Sequence, residues 1–428
     1  MNGTRNNIQK LLALLIIIEA FCCFSSFASN SINDAIAKKE IINPYKIENS
    51  AYDEMLSASV MSYGNNSRLK RFIKKLKNGE DVYIAFLGGS VTEGAGPANY
   101  KDGYAYKFCD QLKKRFAQGT GNAKDGANIH SVNAGLSGTP SPLGLLRYEH
   151  DVVSALGRAP DLLIVEFAVN DGSEWSDCRA FEQIIRGALE ADESTAVIAL
   201  YSAAQYMNSQ GVKHAVSSYY GVAEISVQNA FNKRKNLFSV KQFFTDVVHP
   251  TKEGHAFAAD CLMSFIIQTE NRAADSAVAV PAEYLKKPPF SNFKQIVKDD
   301  EYVKIEKGSF KFSDLQTQST KKSTAGNFPN NWYHMPVADV EPFIMKINCK
   351  ALFFVYKENA KWNNVPFGSA EIYVDGKKVA VIDENSTNGW NNSIIKLIID
   401  EKTASEHEVR VVPQKNKAFT IVALGYSR

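Results

Sequence analysis

A serine, a glycine, an asparagine and an aspartate–histidine pair occur in that order along the chain, each in a short block beside an apolar run. The first block is FLGGSVTEG, residues 86–94. Ser90 follows a run that fits a buried strand, so its hydroxyl is expected at the carboxyl edge of a sheet, where open α/β folds build their sites. The second block, VNAGLSGT (132–139), follows another short apolar run. Gly135 has no side chain to block a ligand, so its N–H can donate to a substrate oxygen. The third, EFAVND (166–171), closes the most hydrophobic run, and Asn170 carries the kind of amide donor an oxyanion hole uses. The fourth, DVVHPTKEGH (246–255), places Asp246 three residues before His249. That spacing lets one loop carry a general base and the carboxylate that fixes its tautomer. Taken alone, each block also reads as an ordinary polar turn. Asp246, His249 and His255 would also serve as metal ligands, but no second His/Asp cluster supports that reading.

These groups need elements to position them. RLKRFIKKLK (68–77) has apolar residues at 69, 72, 73 and 76, the stripe of an amphipathic helix. Its lysines read as a solvated face, with contact to acidic lipid as the alternative. VYIAFLG (82–88) and the runs at 130–134, 162–167 and 196–201 fit parallel strands buried on both faces. Helical stretches at 104–116 and 181–189 lie between them, and a last helix is expected over 254–269. Strand alternating with helix predicts right-handed crossovers and a parallel sheet covered on both sides. Residues 271–300 mix small residues with Pro281, Pro288 and Pro289 and read as a linker. Beyond them the apolar period becomes two. Strands are expected over 343–356, 393–399, 408–412 and 419–425, with a hairpin in 371–383 around Asp375–Gly376. Residues 301–428 are therefore expected as an all-β sandwich.

Composition sets the frame for this chemistry. The 428 residues are 45% hydrophobic and 22% charged, with a formal net charge of +3. That is the profile of a folded protein of two or three domains, and it gives no broad electrostatic reason to expect a nucleic-acid partner. Residues 1–28 read as a secretory signal. Arg5 and Lys10 precede an apolar stretch over 11–24 interrupted by Glu19, and Ser26 and Ala28 supply the small residues of a cleavage site. Fourteen residues are too few to span a bilayer, which takes ~20, so no stable membrane insertion is expected after cleavage. Residues 29–64 read as a lead-in segment. Cys109, Cys178, Cys261 and Cys349 remain, widely spaced, and are expected as free buried thiols or at most one bridge.

Together the four blocks resemble the SGNH (GDSL-type) hydrolase family, defined by Ser, Gly, Asn and His in four ordered blocks. The resemblance covers residues 65–270. It implies an α/β fold: a three-layer, flavodoxin-like α/β/α domain with a parallel sheet, here followed by the all-β, jelly-roll-like module. It also implies a catalytic triad of Ser90, His249 and Asp246, and an oxyanion hole from the Ser90 and Gly135 N–H groups and the Asn170 amide. Neither cofactor nor metal is implied. Two positions depart from the family pattern: Gly89 replaces the Asp of Gly-Asp-Ser, and Ala168 replaces the Gly of Gly-x-Asn-Asp. The Gly-Gly-Ser form resembles secreted esterases that act on carbohydrate. The expected function is thus a secreted O-acetylesterase acting on an acetylated poly- or oligosaccharide. Glu93, Trp175 with its neighbour Glu174, and Arg147 are expected to line the substrate site. Trp332, Trp362 and Trp390 of the β module would stack on sugar rings or pack internally. Two alternatives remain: a polysaccharide O-acetyltransferase using the same serine, and a carbohydrate-binding surface protein with an inactive hydrolase domain.

Overall fold

The run 82–88 is apolar without alternation because both of its faces are covered. Ile84 and Phe86 enter one buried cluster, and Ala85 and Leu87 enter a second cluster on the other face. The computed structural model describes residues 32–296, 302–321, 323–360 and 364–428. The expected signal segment and Trp362 lie outside the described residues.

Six strands form the first sheet: β1 Val60–Ser62, β2 Val82–Gly88, β3 Ile129–Gly135, β4 Leu162–Glu166, β5 Ala196–Tyr201 and β6 Ala223–Ser226. Their spatial order is β1-β6-β5-β4-β2-β3. β2 to β6 are parallel, and β1 joins the edge antiparallel to β6. Helices Asn49–Ser59, Ser67–Asn78, Tyr104–Phe116 and Lys252–Asn271 cover one face through Met55, Phe72, Phe108 and Phe265. Helices Ser141–Tyr148 and Arg179–Ala191 cover the other through Leu143, Phe181 and Ile185. This is the expected three-layer α/β/α arrangement. The stripe at 69, 72, 73 and 76 is the buried face of its helix. Lys74 and Lys77 are exposed, while Lys70 and Lys75 are half-buried and bond the carbonyls that end the helix Lys252–Asn271 and the buried Asp161 carboxylate.

Residues 32–62, expected as a lead-in, are built into this domain. Ile32, Ala35 and Ile41 enter the first cluster. The buried Asp260 carboxylate accepts the N–H groups of Ile42 and Asn43 and the hydroxyl of Tyr52. These contacts span more than 200 residues, so no local pattern announces them.

The C-terminal module is all antiparallel. Its eight-stranded sheet is organised by two long strands, Phe343–Glu358 and Asn392–Pro413. The separate strands expected at 393–399 and 408–412 are one continuous strand. A register shift opposite residues 349–351 absorbs the polar segment between them. The hairpin turns at Asp375–Gly376, both at positive φ, the backbone that an Asp-Gly hairpin adopts. Inward residues such as Met345, Phe354, Val411 and Phe419 form the module's own core. Phe353, Val355, Ile395 and Val422 instead enter the same cluster as Phe167, Trp175 and Phe181 of the first domain. The two domains therefore share a hydrophobic core. Arg179 reinforces the junction, pairing with Asp400 through two bonds of 2.7 and 2.8 Å and lying over the Phe290 ring. The four cysteines among the described residues, Cys109, Cys178, Cys261 and Cys349, are buried and unpaired.

Candidate active site

Three adjacent strand ends bring the blocks together. β2 ends at Gly88 with Ser90 immediately beyond, and its neighbours β3 and β4 end at Gly135 and Glu166. Asn170 stands in the turn after β4. The 246–249 loop arrives from the far side, just before the helix Lys252–Asn271.

His249 Nε2 lies 2.9 Å from Ser90 Oγ, and His249 Nδ1 lies 2.6 Å from Asp246 Oδ2. The carboxylate holds the ring proton on Nδ1, so Nε2 is free to accept the serine proton. The other carboxylate oxygen, Asp246 Oδ1, accepts the backbone N–H groups of Val248 and His249, both at 2.8 Å. Partial burial pushes the Asp246 carboxyl up, but these two N–H donors and the histidine ring outweigh it and hold it below the ordinary carboxylate range. His255 does not join the group. Its Nδ1 accepts the Tyr104 N–H, and its Nε2 donates to the Ala95 carbonyl. Burial pushes it down to about 4, so it is a neutral internal residue. Among the described residues no cluster of three or more His, Cys, Asp or Glu side chains is arranged to hold a metal.

Gly135 and Gly89 are close-approach glycines. A methyl group on Gly135 would lie 2.1 Å from the Glu93 backbone nitrogen, so only glycine lets β3 pass so close to the short helix that carries Ser90. A methyl group on Gly89 would lie 2.1 Å from Asn170 Oδ1. The Asn170 amide therefore rests directly over the backbone that precedes the serine. The Gly135 N–H donates to Asn133 Oδ1 at 2.9 Å, while Asn133 Nδ2 donates to the Thr92 carbonyl. Asn133 lies within the second block, and only the structure shows it fastening that block to the first.

Three of the residues expected to line the substrate site, Arg147, Glu93 and Trp175, are placed elsewhere. Arg147 is buried, donating to the carbonyls of Ala134 and Gly88 and pairing with Asp151. It braces the ends of β2 and β3 from behind. Glu93 is also buried. It accepts the N–H of Ser137 and the N–H of Lys321, so it ties the second block to a loop of the β module. Trp175 packs against Phe353 in the core shared by the domains. All three sit near the site in sequence, but their long side chains turn inward to satisfy backbone groups or fill the core.

The β module reaches the site through other residues. Gln318 donates to the Ser137 carbonyl, and the Trp390 ring lies 3.3 Å from where a side chain on Gly138 would begin. Trp390 is 41% exposed, so one face of the indole borders the second-block loop while much of the ring meets solvent. Trp332 packs edge-on against Phe343 within the module.

The family model for GDSL-like lipases and acylhydrolases matches residues 86–257, which span all four blocks. The chain carries a GDSL-like lipase/acylhydrolase domain. No protein of curated function matches the sequence. Among solved structures, a two-domain esterase (CEX) active on acetylated mannans is 24% identical, covering 87% of this chain and 98% of its own, with a TM-score of 0.73. The same esterase co-crystallised with mannopentaose aligns at 23% identity, 87% and 97% coverage and a TM-score of 0.72. The acetylxylan esterase Axe2 of Geobacillus stearothermophilus aligns at 18% identity over 44% of this chain and 96% of its own, with a TM-score of 0.34. The acylhydrolase domain and its β module thus share a two-domain architecture with the mannan-active esterase.

Proposed function

We propose that this chain is an exported serine esterase that removes O-acetyl groups from a polysaccharide through an acyl-enzyme. The hydrogen-bonded chain Asp246–His249–Ser90 carries the reading. In it, Ser90 Oγ attacks the ester carbonyl while His249 Nε2 takes its proton. His249 then gives the proton to the leaving sugar oxygen as its bond to the acyl carbon breaks, and the acetyl group stays on Ser90. Water, deprotonated by the same histidine, releases acetate and restores the serine. Asp246 keeps the imidazole oriented and stabilises its charged form. The tetrahedral oxyanion takes the Asn170 amide and the Ser90 N–H as donors. The Gly135 N–H contributes once the substrate oxygen displaces Asn133 Oδ1 from it. No cofactor enters this scheme.

Three features support carbohydrate as the substrate: the exposed Trp390 beside the second block, the β module built into the same core, and the mannan activity of the esterase that shares this architecture. Export rests on the charged and apolar pattern of residues 1–28. The test is acetate release from acetylated mannan, xylan, xyloglucan and pectin, with fluorophosphonate labelling of the serine. Ser90→Ala is expected to abolish labelling and to lower turnover by about 10⁴-fold or more. Hydrolysis of an activated acetyl ester that survives this substitution overturns the reading. Acetyl transfer to an added sugar in preference to water would instead identify a transferase.

A further inference from the structure

The carboxyl edge of the sheet continues past Ser90. In the order β3, β2, β4, β5, the strand ends carry in turn Gly135, Ser90, Asn170 and the 202–209 loop. Two strand spacings separate β2 from β5, so that loop begins ~10 Å from the serine along the edge. It is tied to the site at three points. The Gln205 N–H donates to the Val247 carbonyl at 2.9 Å, and Gln205 Nε2 to the Asp246 carbonyl at 2.7 Å. The Tyr206 hydroxyl donates to the carbonyl of Val169, beside Asn170.

This loop and the helix Val227–Lys233 wall a groove of about 790 Å³. Side-chain amides, among them Asn208, Gln228, Asn229 and Asn232, line it together with the exposed apolar Val212 and Val240, and Lys235 is the one charged residue of its lining. Gln228 accepts the Ala204 N–H, and Asn208 donates to the Ser202 carbonyl, so two of the amides fix the shape of the groove. Tyr206 and Met207 stand on the rim, 47% and 95% exposed. Amides offer donors and acceptors together without a charge to desolvate, and an aromatic ring covers the C–H face of a sugar. With one charged residue in the lining, that combination suits a neutral polyhydroxylated chain better than an anion.

We propose that this groove is a second glycan-contact site, holding distal sugar residues of the chain whose acetyl group is at Ser90. The proposal rests on the polysaccharide-deacetylase reading. Trp390, seated on the loop after β3, and Tyr206, after β5, then bracket the serine, and the bound glycan runs across the strand ends.

The test compares kcat/KM on O-acetylated manno- and xylo-oligosaccharides of two and six residues. The unsubstituted full chain, Tyr206→Ala and Asn232→Ala are each normalised to their own rate on an aryl acetate. The six-residue substrate is expected to be preferred, and Tyr206→Ala to cut that preference about fivefold, Asn232→Ala by less. A preference unmoved by both substitutions overturns the groove and leaves the deacetylase reading intact. Turnover of the aryl acetate with none of either oligosaccharide overturns the carbohydrate reading, and the groove with it.

Discussion

Ser90, His249 and Asp246 owe their alignment to groups that do no chemistry themselves. The two backbone N–H bonds to Asp246 Oδ1 leave Oδ2 for the histidine. In the proposed mechanism Asn170 supplies the side-chain donor to the oxyanion, so Asn170→Ala should lower kcat by ~10²–10³ with a smaller change in KM. Steady-state kinetics on an aryl acetate reads this directly. Beneath the site, Glu166 is fully buried and accepts the Ala168 N–H. Burial pushes it up to about 7, against the pull of its hydrogen bonds from Ala168, Ser202 and Thr92. A carboxyl raised in the folded state favours folding while both states are protonated. That contribution is lost as pH rises from its ordinary 4.5 to about 7. Glu166→Gln should therefore flatten the fall in stability across that window. Denaturant titrations at pH 5 and 8 that show an unchanged difference would refute this assignment.

At the level of elements, the packing of β3 against the short helix Ser90–Glu93 sets the position of the serine. Gly135→Ala puts a methyl group on the Glu93 backbone, which no side-chain rotation relieves. The expected outcome is a loss of roughly 1–3 kcal/mol of stability, with lower kcat because Ser90 shifts. Thermal unfolding and kcat measured on the same preparation test both effects. This constraint was half legible beforehand. The order of the blocks marked Gly135 as special, but for its N–H, not for the contact that forbids a side chain. The strands β2, β4 and β5 were legible because they are apolar on both faces. β1 and β6 were not, since one is three residues long and the other four. Glu93, Arg147 and Trp175 depart from the expected substrate-lining role for a related reason. Nearness to a catalytic block in sequence does not say which way a side chain turns.

At the scale of the whole molecule, the shared core makes the two domains interdependent. Phe353, Val355 and Ile395 cover apolar surface of the acylhydrolase domain, and burial of each such side chain contributes about 1.5–3 kcal/mol. A fragment ending at residue 296 would expose that surface and lose the Gln318 and Lys321 contacts to the second block. It is expected to aggregate or bind a hydrophobic dye, whereas the full chain does not. A monomeric, fully active fragment would show that the module is only appended. Among the described residues the four cysteines are unpaired, so the shared core, the Arg179–Asp400 ion pair and the Gln318 and Lys321 hydrogen bonds hold the domains together without a disulfide.

The sequence by itself determined the alternation of strand and helix, the all-β character of the module after residue 300 and the four blocks with their order. All of these follow from local periodicity and from short-range spacing, which each segment carries within itself. Only the tertiary structure decided that Gly135 must lack a side chain, that Arg147 and Glu93 brace the site from behind, and that Trp390 and Tyr206 flank it. Each of these depends on contacts between different segments of the chain, and side-chain direction there is set by the partner that the fold supplies.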